Sequence, residues 1–380
     1  MDNAVNPVMQ NAQARSAVIG MGQKMTQIIA SGTVTPGTTP IINIPPRNVG
    51  LILGFIIKVT GGVTNGATDA ATLTGLGSSN ILANITFTDL NNVQRINTSG
   101  AHMALLNSAR QGFGFGGAYA PNLPMSYGNN WAPFAGSSSL AANATGTLTH
   151  TYYVPLAYAS NDLRGAVYAN IVNATQNLSF EITSSANLFV ATGADALGAA
   201  YIGNTNGAWT STVSYEVYQV YIDQIPMVGG SPVLPMLDLN TIYDIKKTAL
   251  TGISASQDFP VPYANYRAFL STFAIYDNAG VYNSGSDVNY WSLKSANSTE
   301  LFRMTPNIAA LMARQTFMAD PPPGVYYFDH RDKPLDTITY GNLELNLNAS
   351  TATAGAQLIM GYEAFQNVTQ IPNASSLAAG

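Results

Sequence analysis

The stretch Tyr215-Glu-Val-Tyr-Gln-Val-Tyr-Ile-Asp-Gln-Ile-Pro226 is answered near the chain end by Tyr362-Glu-Ala-Phe-Gln-Asn-Val-Thr-Gln-Ile-Pro372. Both carry Tyr-Glu, then an aromatic and a Gln, then Gln-Ile-Pro. β-Branched and aromatic residues dominate both, as in strands, and a proline closes each because it cannot donate to a ladder. Each therefore reads as the last strand of a domain, and the chain as two domains of one kind in tandem. Tyr215, Tyr218, Tyr362 and Phe365 are the candidate core residues of these closing strands.

Other pairs follow in the same order. Ala109-Arg110-Gln111 is matched by Ala313-Arg314-Gln315, Tyr152-Tyr153-Val154 by Tyr326-Tyr327-Phe328, and Tyr168-Ala169-Asn170 by Tyr340-Gly341-Asn342. Spacing differs most after the Ala-Arg-Gln match: 42 positions separate Arg110 from Tyr152, but 12 separate Arg314 from Tyr326. The first copy thus carries a long excursion, Gln111 to Gly146, rich in Gly, Pro, Asn and Ser, of the kind that serves function or an interface.

A chain of 380 residues suits two cores better than one. Its charged fraction is 9%, where about 25% is usual. A free monomer keeps a charged surface for solubility, so a chain this poor in charge fits a protein that covers itself with copies of itself. A secreted β-protein with a Thr/Asn-rich face shares this composition. The net charge of −5 gives no basic footprint for nucleic acid. The absence of cysteine excludes disulfides and thiolate metal sites and leaves the compartment open. No apolar run is long enough to span a bilayer, and the N-terminus lacks the pattern of a signal peptide.

Along the chain, Val18, Met21, Met25 and Ile28 fall at helical spacing and predict an N-terminal amphipathic helix, weakened by Gly20 and Gly22. They are the candidates to face a membrane or the base of an assembly. A proline-punctuated arm runs to residue 45. Strands are predicted at Val49–Val59, Ile81–Asp89, Thr147–Pro155, Leu178–Thr183, Arg267–Asp277, Val325–Phe328, Ile338–Leu347 and Leu358–Phe365. Helices are predicted from Thr98 or Ser99 through Arg110, with Met103 and Leu106 on one face, and from Thr305-Pro306, with Ile308, Leu311 and Met312 on the buried face. Pro226 to Pro235 is the linker. The expected division is a helix and arm over 1–45, a first domain over 46–228, a second over 237–372 and a flexible tail over 373–380. Short strands between turns, with one helix in each half, predict an all-β fold of two jelly-roll sandwiches.

The search for chemistry returns little. His102, His150 and His330 stand apart, form no metal-binding pattern, and are read as surface or helix-face residues. Gly112-Phe-Gly-Phe-Gly-Gly117 fits a dinucleotide fingerprint by letter, but follows a predicted helix and leads into prolines, the wrong context for a phosphate cradle. Asp329-His-Arg-Asp-Lys333 reads as a solvated hairpin or an ion-pair patch. The Asn-x-Ser/Thr sites, Asn84, Asn173 and Asn348 among them, follow from composition. No catalytic, cofactor or metal residue is nominated.

Several stretches are similar to one family: Asn48–Thr60, Tyr152–Tyr158 with Asp162-Leu163 and Gly165–Val167, Tyr263–Asn265, Leu270–Thr272, Gly324–Tyr327 with Arg331–Pro334, Tyr340–Asn342 and Met360–Glu363. Together, in order, they resemble the major capsid protein of tectiviruses, icosahedral bacteriophages with an internal membrane. The resemblance implies a double jelly roll of two eight-stranded sandwiches and a homotrimer of pseudo-hexagonal outline. It further implies trimers tiling an icosahedral shell, minor capsid and vertex proteins as further partners, and an N-terminal segment near the membrane. Residence would be in the virion, and in the host cytoplasm during assembly; no cofactor, catalysis or direct nucleic-acid binding is implied. The competing readings are a jelly-roll glycan-binding or spike protein, stacking sugar on Trp131, Trp209 or Tyr119, and a hydrolase on the same fold.

Overall fold

The computed structural model describes residues 7–37, 41–74, 76–111, 139–169, 175–190, 198–204, 206–253, 256–261, 267–278, 287–295, 300–317, 325–350, 352 and 355–366. Two runs of eight strands carry the fold. The first run is β1 (Gln23–Val34), β2 (Ile41–Ile44), β3 (Leu51–Thr64), β4 (Leu82–Thr88), β5 (Gln94–Thr98), β6 (Thr145–Pro155), β7 (Asn177–Ile182) and β8 (Val213–Asp223). The second is β9 (Ile242–Thr251), β10 (Ser256–Pro260), β11 (Arg267–Asp277), β12 (Val288–Ser295), β13 (Glu300–Met304), β14 (Val325–Asp329), β15 (Leu343–Ala349) and β16 (Gln357–Gln366).

The strand order repeats. In the first roll β1-β8-β3-β6 forms one sheet and β2-β7-β4-β5 the other; in the second, β9-β16-β11-β14 and β10-β15-β12-β13 do the same. Each roll is a jelly-roll sandwich, and its helix falls at the same point: α2 (Gly100–Gln111) between β5 and β6, α4 (Pro306–Phe317) between β13 and β14. The ordered matches in the sequence are therefore structural equivalents. Tyr152 and Tyr153 of β6 pair with β3 as Tyr326 and Tyr327 of β14 pair with β11.

Aromatic and branched side chains fill the two interiors. Phe55, Phe87, Phe180 and Tyr152 lie in the first core; Phe269, Tyr276, Trp291 and Tyr362 lie in the second. Strand β11 begins and ends where its sequence predicts, and all its residues are buried, because both of its faces are covered. Between the rolls, Gly229 and Gly230 turn a two-residue hairpin at φ +58 and +83, a backbone that glycine adopts without strain. The chain then enters a short helix, α3 (Met236–Asn240).

The rolls share one sheet. Strand β5 runs parallel to β9, pairing Ile96 with Ile245 and Asn97 with Lys246, so β2-β7-β4-β5 continues into β9-β16-β11-β14. One roll's second sheet thus becomes the other roll's first.

Four expectations are corrected. The N-terminal helix, α1, spans Pro7–Met21 only, and Met25 and Ile28 lie on β1. Gly22 ends the helix where a side chain would collide with Ile222 and the Val18 carbonyl. The helix and extended arm predicted over 1–45 are, among the described residues, a helix followed by the edge strand β1 and by β2, so the arm is strand rather than an extended lead-in. Ile308, Leu311 and Met312 face outward, 45–50% exposed, while Ala309 and Ala313 take the buried side of α4. Ile338 sits in a helical turn, Thr337–Tyr340, rather than in a strand.

Candidate functional site

The feature that sets this chain apart from two sandwiches on a tether is the seam. Tyr362 points into the second core, its ring centroid 5.4 Å from that of Phe269. Strand alternation then turns its neighbour Glu363 to the outer face of the sheet, toward the first roll. There Glu363 is fully buried. Arg110 at the end of α2 meets it at 2.9 Å, Ser271 donates to it at 2.9 Å, and the Tyr243 hydroxyl donates to the same carboxylate. Burial opposes charge on Arg110. The Glu363 carboxylate and the nearby Tyr243 and Tyr158 outweigh it, and the guanidinium pKa rises above its ordinary value. The same guanidinium lies over the rings of Tyr158 and Tyr243, at 4.5 and 4.9 Å.

Around this ion pair α2 seats on the second roll. The His102 ring packs against Phe273 with centroids 3.9 Å apart and planes tilted by 32°, and its Nδ1 is hydrogen-bonded to Thr98 at 2.5 Å. Phe365, 2% exposed, is covered by Arg164, whose guanidinium lies 4.4 Å from its centroid. Arg331, ion-paired with Asp329, donates to the Ala109 carbonyl at 3.1 Å. The charged turn at Asp329–Lys333 therefore locks the seam from the second roll, and Asp162 with Arg164 forms the same i,i+2 ion pair on the first. This Asp-x-Arg, at Asp162–Arg164 and Asp329–Arg331, is a further pair shared by the two copies. Nearby, Asp244 is fully buried with Arg267 at 3.1 Å; desolvation pushes its carboxyl up to about 6.

A second clamp holds the N-terminus. Arg15 donates twice to Asp238 of α3, at 2.6 and 2.7 Å, and Asn11 donates to the same carboxylate at 2.9 Å. The Leu237 N–H returns a bond to Asn11. Val18 is fully buried against Leu53 and Ile222, so it cannot face a membrane. Met21 is 66% exposed, Met25 is half-buried, and Ile28 is 48% exposed on the outer face of β1.

The other sequence candidates separate cleanly. Phe365 and Tyr362 are core residues, Tyr215 is half-buried against the first core, and Tyr218 lies half-buried on the opposite, outer face, where its hydroxyl donates to Glu216 at 3.1 Å. His102 and His150 are buried, not surface residues: His150 bonds Ser78 at 2.8 Å, and burial pushes its pKa down to about 3. His330 is half-buried against Thr272. Trp209 is buried and donates to the Thr183 carbonyl, so it offers no stacking platform. Trp131, Tyr119, the Gly112–Gly117 run, Asn173, Tyr263–Asn265 and the tail over 373–380 lie outside the described residues. Among the described residues no group of three metal-ligating side chains converges, and no helix is long and apolar enough to cross a membrane.

Comparison with known proteins accounts for both halves. Residues 6–225 match the family described as P3 major capsid protein N-terminal, and residues 240–379 match P3 major capsid protein C-terminal. The chain belongs to the P3 major capsid protein family. It is 38% identical over 370 residues to the major capsid protein P3 of Enterobacteria phage PRD1, covering 97% of this chain and 94% of that protein. The tectivirus resemblance is thereby borne out, and this P3-family chain is a structural major capsid protein, not an enzyme. Among solved structures, a chain from Sulfolobus Turreted Icosahedral Virus aligns with TM-score 0.63 at 14% identity, covering 94% of this chain and 96% of its own. A chain of the PBCV-1 virus capsid aligns with TM-score 0.54 at 10% identity, covering 91% and 95%. At these identities the likeness concerns the double jelly roll alone.

Proposed function

We propose that this capsid protein builds homotrimeric, pseudo-hexagonal capsomers that tile an icosahedral shell around an internal membrane vesicle, with minor capsid and vertex proteins as further partners. The observation that carries this reading is an asymmetry between equivalent faces. The outer face of the second roll's β9-β16-β11-β14 sheet is buried under the first roll, whereas much of the equivalent face of β1-β8-β3-β6 is open within the chain. Each chain thus carries one satisfied contact and one open one of the same kind. Heterologous contacts either close into a ring or run on as a filament, and two rolls per chain close sixfold in outline with three chains.

We retain the division into two rolls at the 229–236 linker, with β1 assigned to the first. For the membrane side, the exposed apolar residues of α1, Val8, Met9 and Met21, take the place of Val18. Assembly would take place in the host cytoplasm. Light scattering behind size exclusion tests the capsomer: a stable species at three times the chain's 40.0 kDa is expected, and a monomer at every concentration would end this reading.

A further inference from the structure

The repeat makes the open contact specific at the level of residues. Within the chain, Arg110 of α2 meets Glu363 of β16. The first belongs to the match Ala109-Arg110-Gln111 with Ala313-Arg314-Gln315, the second to the match Tyr215-Glu216 with Tyr362-Glu363. Their equivalents are therefore Arg314 of α4 and Glu216 of β8. Strand register agrees: Glu363 lies between Ile245 of β9 and Ser271 of β11, and Glu216 lies between Ser31 of β1 and Lys58 of β3. Orientation agrees as well. Tyr215 packs inward, 5.7 Å from Phe180, as Tyr362 packs on Phe269, so both glutamates face outward from their own cores.

What differs is cover. The Glu363 side chain is 0% exposed and that of Glu216 is 42% exposed. Around Glu363 the face holds buried Phe273 and Phe365; around Glu216 it holds exposed Ile28 with half-buried Ile56, Tyr153 and Tyr218. On α4, Arg314 is exposed beside Ile308, Leu311 and Met312. Each chain therefore offers an apolar helix flank carrying Arg314 and an apolar sheet face carrying Glu216 beside Lys58.

We propose that the occupant of that sheet face is a second copy of this chain: the exposed flank of α4 docks on the β1-β8-β3-β6 face of its neighbour, and Arg314 pairs with the neighbour's Glu216 as Arg110 pairs with Glu363. Lys58, standing where Ser271 stands in the second roll, holds Glu216 at 3.6 Å and remains beside the new pair. The proposal rests on the capsomer reading and adds to it the partner surfaces and their register.

The chain has no cysteine, which makes cross-linking clean. In the variant carrying Arg314→Cys and Glu216→Cys, a short bismaleimide should give covalently linked trimers on a denaturing gel, while either single variant stays at the 40.0 kDa position. Arg314→Glu should raise the concentration at which the oligomer dissociates by about tenfold or more. Adding Glu216→Arg should restore it, with thermal melts confirming that each variant is folded. If the unmodified protein holds threefold mass but the double-cysteine variant gives no cross-link and the charge-swap variants dissociate as the parent does, the pairing is wrong and the capsomer reading survives. If the unmodified protein is a monomer throughout, both fall together.

Discussion

Glu363 and Asp244 are buried carboxylates on opposite faces of one sheet, Glu363 toward the seam and Asp244 on the second roll's own side, with different consequences. Glu363 has a guanidinium and two hydroxyls directed at it. Its removal strands Arg110 in a dry environment, and breaking a buried pair from one side costs about 3–5 kcal/mol. Glu363→Ala should lower the unfolding free energy from urea denaturation by that amount, and a loss below about 1 kcal/mol would mean that Arg110 reaches water instead. Asp244 is the opposite case, because desolvation outweighs its cations and raises its pKa to about 6 from 3.8. Its native state then holds the proton more tightly than the unfolded state does. Its contribution to stability is present in full below about 4 and is lost as pH rises through 6. The stability difference between the parent protein and Asp244→Asn should therefore grow as pH falls from 6 to 4, by up to roughly 3 kcal/mol, read from denaturation at each pH. His150 acts in the reverse sense: with its pKa pushed down to about 3, its contribution is present above 6.5 and is lost as pH falls. None of these burials was legible in sequence, since a Glu in a strand reads as solvent-facing until another domain is known to cover that face.

At the scale of elements, the closing strands β8 and β16 are equivalent in register but not in cover. Tyr362 is 3% exposed and touches Arg267 through its hydroxyl at 3.0 Å, whereas Tyr215 is half-buried. Tyr362→Ala should cost about 3–5 kcal/mol and Tyr215→Ala less than half of that, measured by chemical denaturation. Equal losses would remove the distinction between a fully buried and a half-buried tyrosine at this inward position of the two closing strands. Periodicity located these strands, and β11 to the residue, because a strand buried on both faces reads as an unbroken apolar run. It failed on α4, where Ile308, Leu311 and Met312 share a stripe that does not face the helix's own roll. Amphipathic spacing reports that a face needs a partner and does not say whether the partner is in the same chain. It failed again at Val18–Ile28, where helical spacing ran across Gly22 into β1 and merged two elements into one.

For the whole molecule, the two rolls are one cooperative unit. The core around Phe55 and Tyr152 also contains Phe273, Ile275, Tyr327 and Phe365 from the second roll, and β5 and β9 share a sheet. A fragment beginning at residue 237 would expose that apolar face together with buried Glu363. It should fail to give a soluble, folded monomer, and the full chain should show one unfolding transition in calorimetry. Two separate transitions would mean that the seam is weaker than its burial indicates. Tandem repetition and the jelly-roll class were both readable from ordered motif pairs and composition. The fused sheet was not, because only two residue pairs make the join and neither strand carries a mark of it.

Gly361 sits opposite Phe273 in the β16–β11 ladder, and a Cβ there would collide with the Phe273 ring against which His102 of α2 packs. The missing side chain leaves the Phe273 ring its room between β16 and α2, so a methyl group there would push against the first roll's helix. In an assembly of many copies, a small shift of one roll against the other becomes a change in the angle between neighbouring rolls, and angle repeated over a closed surface is curvature. Gly361→Ala, harmless to chemistry in a protein that performs none, would then be read not in any rate but in the diameter of the particle.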